Sequence, residues 1–167
     1  MLSNFEIEDL AQQFDLPLIG VYSKDELKNV VPRVGTYIVN QQNSTEGDGT
    51  HWTMCKIFCD DDRDEQGADV KVCKALAFDS FGVGCSIEVS EFLKNFKPIA
   101  QNTRQIQDLK SDECGWYCLC LDYALEHKKH GETYLKDYES WIQMWSNDTR
   151  KNSYILQEFF KKALKKK

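Results

Sequence analysis

The stretch from Gln107 to Leu121, QDLKSDECGWYCLCL, places a cysteine where a thiol can become a nucleophile. Ser111 and Asp112 have turn and capping character and lead into an apolar run, which predicts a helix with Cys114 in its first turn, continuing to about His127. The unbonded N–H groups and positive dipole end of a helix start favour a thiolate over a thiol. Gly115 leaves room beside the sulfur. To attack a carbonyl carbon, such a cysteine needs a base to take its proton, a third group to hold that base, and donors where the oxyanion forms. The chain offers His51 as the base, Asp79 as its orienting carboxylate, and Gln107, in the loop before the helix, as an amide donor acting with the Cys114 N–H.

Each of these residues also has an ordinary role. Cysteine is among the most buried residue types, and Cys118 and Cys120 in the same stretch read as core. An isolated histidine at a strand start is commonly structural, Asp79 can cap a turn, and Gln107 can be a surface amide. His127 and His130 stand beside lysines at a helix end and read as solvated. CGWYC has three residues between its cysteines where the thioredoxin type has two, so a redox pair fits poorly. The decision therefore rests on whether the fold brings the four residues together.

Composition narrows the setting. With 167 residues and 41% hydrophobic content, the chain is long enough for one domain with a real core, spanning residues 1–167, and too short for two comfortable ones. A net charge of -6 argues against a general nucleic-acid binder, although the tail KKALKKK is basic and reads first as a solvated helix end. Seven cysteines, an odd number with no leader-like apolar segment at the start, predict free thiols in a reducing compartment rather than a disulfide framework. Cys55, Cys59, Cys118, Cys120, His127 and His130 lack the paired short spacings of a zinc ribbon or finger, so neither metal nor cofactor is expected. Nothing is long enough to span a membrane.

The elements that must position the four residues follow from periodicity. NFEIEDLAQQF, with Phe5, Ile7, Leu10, Ala11 and Phe14, predicts a short amphipathic helix limited by Pro17. LPLIGVYS reads as extended, and a brief helix opens at Ser23. Gly35–Asn40 is β-branched and aromatic and predicts a central strand; Thr50–Cys59 predicts a strand buried on both sides, with His51 at its beginning. The acidic DDRDEQGAD reads as a solvated hairpin loop, Val70–Asp79 as the next strand, and SFGVG as the turn that closes it. If that hairpin is centred near Glu65, His51 lies directly opposite Asp79, with Cβ atoms roughly 4.5–5.5 Å apart on one face. A slip of one residue would put them on opposite faces. Further on, Ile87–Phe96 predicts a helix ended by Pro98, Ile99–Gln107 a strand, and Tyr134–Trp145 and Ser153–Leu164 two more helices, with Trp141 and Trp145 on one core-facing stripe.

Taken in order, GTHW, then FDSFG, then Gln107 ahead of CGWYC resemble the adenovirus maturation protease, adenain, and the related ubiquitin-like-protein proteases. The order His, acid, Gln, Cys is characteristic of that clan and differs from papain's Cys-first order. LIGVYSKDEL and YIVNQQNSTEGDGTHW are similar to the segments leading to adenain's catalytic histidine, and to proteases of virophages and Polinton-like elements. The resemblance covers about residues 16–125. It implies an α+β papain-like fold, with a central mixed sheet packed against helices and the nucleophile at the N-terminus of a central helix. It implies a Cys–His–Asp triad of Cys114, His51 and Asp79 with Gln107 at the oxyanion, Asp79 standing where adenain has Glu. The implied activity is cysteine endopeptidase cleavage of capsid or core precursor proteins after small-residue, often Gly-containing, motifs. The implied setting is a monomer in the virion and in the host cytoplasm or virus factory, with DNA or a peptide as activator. Adenain's activating peptide bonds to a non-catalytic cysteine, and ungapped counting puts Phe96 near that place. An isopeptidase acting on a ubiquitin-like modifier is the alternative activity, and a binding module without turnover is the third.

Overall fold

The middle strands are apolar on both sides because both faces of their sheet are covered. The computed structural model describes all residues except 48, 64, 128–133 and 166–167, so His130, Lys166 and Lys167 lie outside it. Its elements are α1 (Asn4–Gln13), β1 (Leu18–Ser23), β2 (Gly35–Asn40), β3 (Trp52–Arg63), β4 (Asp69–Phe78), α2 (Ile87–Leu93), β5 (Lys97–Gln101), α3 (Cys114–Glu126), α4 (Tyr134–Gln143) and α5 (Asn152–Leu164). They form a mixed α/β fold around a five-stranded sheet of order β1-β2-β3-β4-β5. The central pairs β2–β3 and β3–β4 are antiparallel, and the outer pairs β1–β2 and β4–β5 are parallel.

Alternate residues feed two cores. Ile38, Met54, Phe58, Leu76 and Phe78 pack with α1, α3, α4 and α5, including Ile7, Leu119, Trp141 and Leu156. Tyr37, Val39, Cys55, Ile57, Ala75 and Ala77 pack on the other face with Leu27, Val89 and Phe92. No described helix is long and apolar enough to cross a membrane.

Several expected boundaries move. β3 runs on to Arg63, so the acidic segment contributes a strand arm rather than a loop alone. That arm is tied to β4 by the Lys74–Asp60 ion pair at 3.2 Å and by a Cys59–Cys73 disulfide between directly opposed residues. The disulfide corrects the expectation of free thiols; Cys55, Cys85, Cys114, Cys118 and Cys120 are free. The last predicted strand starts at Lys97 rather than Ile99 and ends at Gln101, with Pro98 inside it. β5 is an edge strand, where proline's missing N–H costs no ladder bond. α2 stops at Leu93 and leaves Ile87 exposed, and Phe5 on α1 and Tyr154 on α5 also face solvent.

One buried polar cluster docks α3 onto the sheet. Lys56 lies on the same face of β3 as Met54 and Phe58 and is only 2% exposed. Its Nζ donates to Asp122 Oδ1 of α3 at 2.8 Å and to Thr36 Oγ1 of β2 at 2.9 Å, and pairs with Glu126 at 2.7 Å. Burial pushes the Asp122 carboxyl up against the opposing pull of Lys56 and Thr36. A buried pair of this kind adds little over an apolar pair, but breaking it strands a charge. Lys56→Ala should therefore destabilise the fold by about 3–5 kcal/mol in urea unfolding, while Lys56→Met combined with Asp122→Leu should restore much of that loss. Equal destabilisation by the single and the double variant would contradict a stranded charge as the cause.

Candidate active site

His51 immediately precedes β3 and Asp79 immediately follows β4. The observed register differs from the one expected: Met54 opposes Phe78, which centres the hairpin on Gln66 rather than Glu65. Continued outward, it sets His51 across from Phe81, and their rings stack at 4.5 Å. Asp79 becomes the diagonal neighbour on the same face, still within reach of a long side chain. The imidazole closes that gap, with His51 Nε2 at 2.6 Å from Asp79 Oδ1. Moving the centre by one residue shifts the opposed partner by two, so the shared face survives.

Asp79 is held by its own turn. Its carboxylate accepts the N–H groups of Phe81 at 2.9 Å, Val83 at 2.9 Å and Gly84 at 3.2 Å. Its backbone is clamped by Asn102, whose Oδ1 accepts the Asp79 N–H at 2.9 Å and whose Nδ2 donates to the Asp79 carbonyl at 2.6 Å. Gly82, at φ +70°, lets this turn lie against the Arg104–Gln105 backbone, since a Cβ there would stand 2.7 Å from the Arg104 carbonyl carbon. Burial would raise the Asp79 carboxyl, but His51 and the turn N–H groups hold it below the usual carboxylate range. Burial would likewise lower the His51 pKa; Asp79, and then Cys114, outweigh that and raise it from 6.5 to about 9.

Cys114 opens α3 as expected, although its cap residue is Glu113 and no side chain caps the helix. Its sulfur accepts the Trp52 N–H at 3.4 Å, so the residue after His51 also serves the thiol. Trp52 is fixed from two further sides: its indole N–H donates to the Leu2 carbonyl at 2.8 Å, and Cys118 donates to its carbonyl at 3.6 Å. Gly115 sits under Leu2 and Ile7, where a Cβ would meet carbons at 3.3 and 3.4 Å. With Nε2 on Asp79, the other ring nitrogen of His51, Nδ1, is buried, makes no hydrogen bond of ordinary geometry, and is the one left for the interaction by which Cys114 raises the His51 pKa. Gln107 is fully buried rather than a surface amide. Its Oε1 accepts the Ser80 hydroxyl at 2.5 Å and its Nε2 donates to the Ser111 carbonyl at 2.9 Å, leaving one amide N–H unengaged.

The crystal structure of the selenomethionine form of the ASFV pS273R protease has a similar fold: TM-score 0.51 and 16% identity over 84% of this chain. The chain spans 62% of that protease's length. Neither the models of known protein families nor the curated proteins give a match to the sequence.

Asn102, Ser80 and Lys56 were missed in the sequence. No periodicity marks Asn102 or Ser80, although Ser80 directly follows Asp79 in the FDSFG segment; Lys56 could have been found as the one charge inside an otherwise uncharged apolar strand start. His127 does not enter the site and stacks on Tyr123 at 3.9 Å, and Phe96 packs against the second core. Among the described residues no group of three or more His, Cys, Asp or Glu side chains is placed to hold a metal ion.

The His51 shift carries a pH signature. Between pH 6.5 and about 9 the folded protein keeps a proton on His51 that the unfolded chain releases. NMR titration of the His51 imidazole should find it losing its proton near pH 9 in the folded protein, and Asp79→Asn should bring the midpoint back toward 6.5. A wild-type midpoint near 6.5, or one unmoved by Asp79→Asn, would contradict Asp79 as the cause of the shift.

Proposed function

We propose that this chain is a cysteine endopeptidase of the adenain type that trims viral capsid or core precursor proteins during virion maturation. The observation that carries the reading is the His51 Nε2–Asp79 Oδ1 contact at 2.6 Å beside a cysteine at the start of α3. In this reading His51 holds the Cys114 proton as an imidazolium oriented by Asp79, and the sulfur is left as a thiolate. The thiolate attacks a peptide carbonyl carbon; the oxyanion takes hydrogen bonds from the Cys114 N–H and the free Gln107 amide N–H. His51 Nδ1 then protonates the departing amine, and a thioester remains on Cys114. Water, giving a proton back to His51, attacks the thioester and releases the acid.

The burial of the sulfur supports a preference for small residues at the cleavage site. Cys114 is only 2% exposed, so a carbonyl reaches its sulfur most readily when flanked by residues with little side chain, such as Gly. A cleft of about 450 Å³ lined by Trp52, Gly49, Asn40, Tyr22 and Phe5 adjoins the β3 start and offers room for further substrate residues. The fold likeness to a viral protease supports the maturation role over an isopeptidase role. The proposal includes a single protease domain acting as a monomer, in the virion and in the host cytoplasm or virus factory, with DNA or a peptide as activator.

Co-expression with a capsid precursor should yield a discrete cleavage product next to a small residue, with and without added DNA. Cys114→Ala and His51→Ala should abolish it without unfolding the chain, and Gln107→Ala should lower kcat about 100- to 1,000-fold. Cleavage of a ubiquitin-like modifier carrying a C-terminal reporter, with no cleavage of capsid precursors, would favour the isopeptidase; cleavage surviving in Cys114→Ala would overturn both.

A further inference from the structure

The turn that holds the catalytic acid also reaches the oxyanion donor. Ser80 follows Asp79 and is fully buried. Its carbonyl accepts the backbone N–H groups of Ile106 at 2.9 Å and Gln107 at 3.0 Å, which fixes where the Gln107 backbone lies. Its hydroxyl donates to Gln107 Oε1 at 2.5 Å. A primary amide has two ends of similar shape and opposite hydrogen-bonding sense. A flipped Gln107 would aim an acceptor oxygen at the forming oxyanion and repel it.

We infer that Ser80 is a positioning residue, whose hydroxyl anchors the Gln107 amide oxygen so that the unengaged N–H stays available to the oxyanion. The Ser111 carbonyl, an acceptor only, already disfavours the flipped amide by holding Nε2 at 2.9 Å. What it cannot do is satisfy Oε1. In a residue with no exposed surface, an amide oxygen without a donor costs about as much as a lost hydrogen bond. Without the Ser80 hydroxyl that oxygen would turn toward another donor, and the nearest function of the site, donation to the oxyanion, would suffer. Asp79 and Ser80 then act as a pair: adjacent residues in one turn, braced by Gly82 against the Arg104–Gln105 backbone, orient the base and the oxyanion donor together.

This inference rests on the protease reading, and the test separates the two. Hydrolysis of a fluorogenic peptide ending in Gly before the reporter should be measured for the wild type, Ser80→Ala, Gln107→Ala and the double variant, alongside alkylation of Cys114 by iodoacetamide. Alkylation forms no oxyanion, so it reports the thiol and His51 alone. Ser80→Ala should lower kcat by about 10-fold or more with little change in KM, leave Cys114 alkylation at the wild-type rate, and add little in the Gln107→Ala background. Wild-type kcat in Ser80→Ala, a parallel loss of alkylation, or an undiminished effect in the Gln107→Ala background would each overturn it. A wild-type chain with no turnover, with and without added DNA or peptide, would overturn the protease reading and this inference with it.

Discussion

The pairing of β3 with β4 is the constraint on which the candidate site depends. His51 and Asp79 stand just beyond the ends of these strands, and neither carries an element that could bring it to the other alone. Antiparallel pairing supplies the approach, and its register decides the face. Ten opposed pairs from Met54↔Phe78 to Arg63↔Asp69, the Lys74–Asp60 ion pair and the Cys59–Cys73 disulfide all hold one register. A change by one residue would part the imidazole from the carboxylate. The far end of the hairpin thus guards the geometry of the near end.

The cysteine arrives from another layer, and polar contacts set its position more tightly than packing alone would. Lys56, Thr36 and Asp122 fix α3 along the sheet, while Trp52 ties the strand start to the helix start through its N–H on the Cys114 sulfur. Both links begin on β3, the strand that His51 introduces. Base and nucleophile therefore share a frame, and the loop bearing Gln107 joins it through the Ser80 carbonyl and through Asn152, whose Nδ2 donates to the Ile106 carbonyl at 2.8 Å. Hydrogen bonds in so dry a setting are costly to break, which favours a preorganised site over one that must assemble around its substrate.

Much of this was legible in the chain. The apolar runs of β2, β3 and β4, the helix that starts at Cys114 and the closeness of His51 to Asp79 follow from periodicity and strand pairing. The register was not, because the acidic tip reads as solvated loop and its strand arm forms only through partners on β4. The same fact hid the disulfide: Cys59 and Cys73 are ordinary strand residues until the register places them opposite one another. Pro98 misled the placement of β5, since proline breaks a central strand but not an edge. Ser80 and Asn102 carry no pattern of their own, and their roles exist only where two loops meet.

The central claim is that Cys114 and His51 form an activated thiol–imidazole pair. Its most direct test is the rate at which iodoacetamide labels each free cysteine across about pH 5 to 9, with the site read by mass spectrometry, in the wild type and in His51→Ala. The account predicts that Cys114 reacts well ahead of Cys55, Cys85, Cys118 and Cys120, that its reactivity persists below neutral pH, and that His51→Ala removes this advantage. Uniformly slow labelling of all five, unchanged by His51→Ala and by added DNA or peptide, would contradict it and leave Cys114 as a core residue.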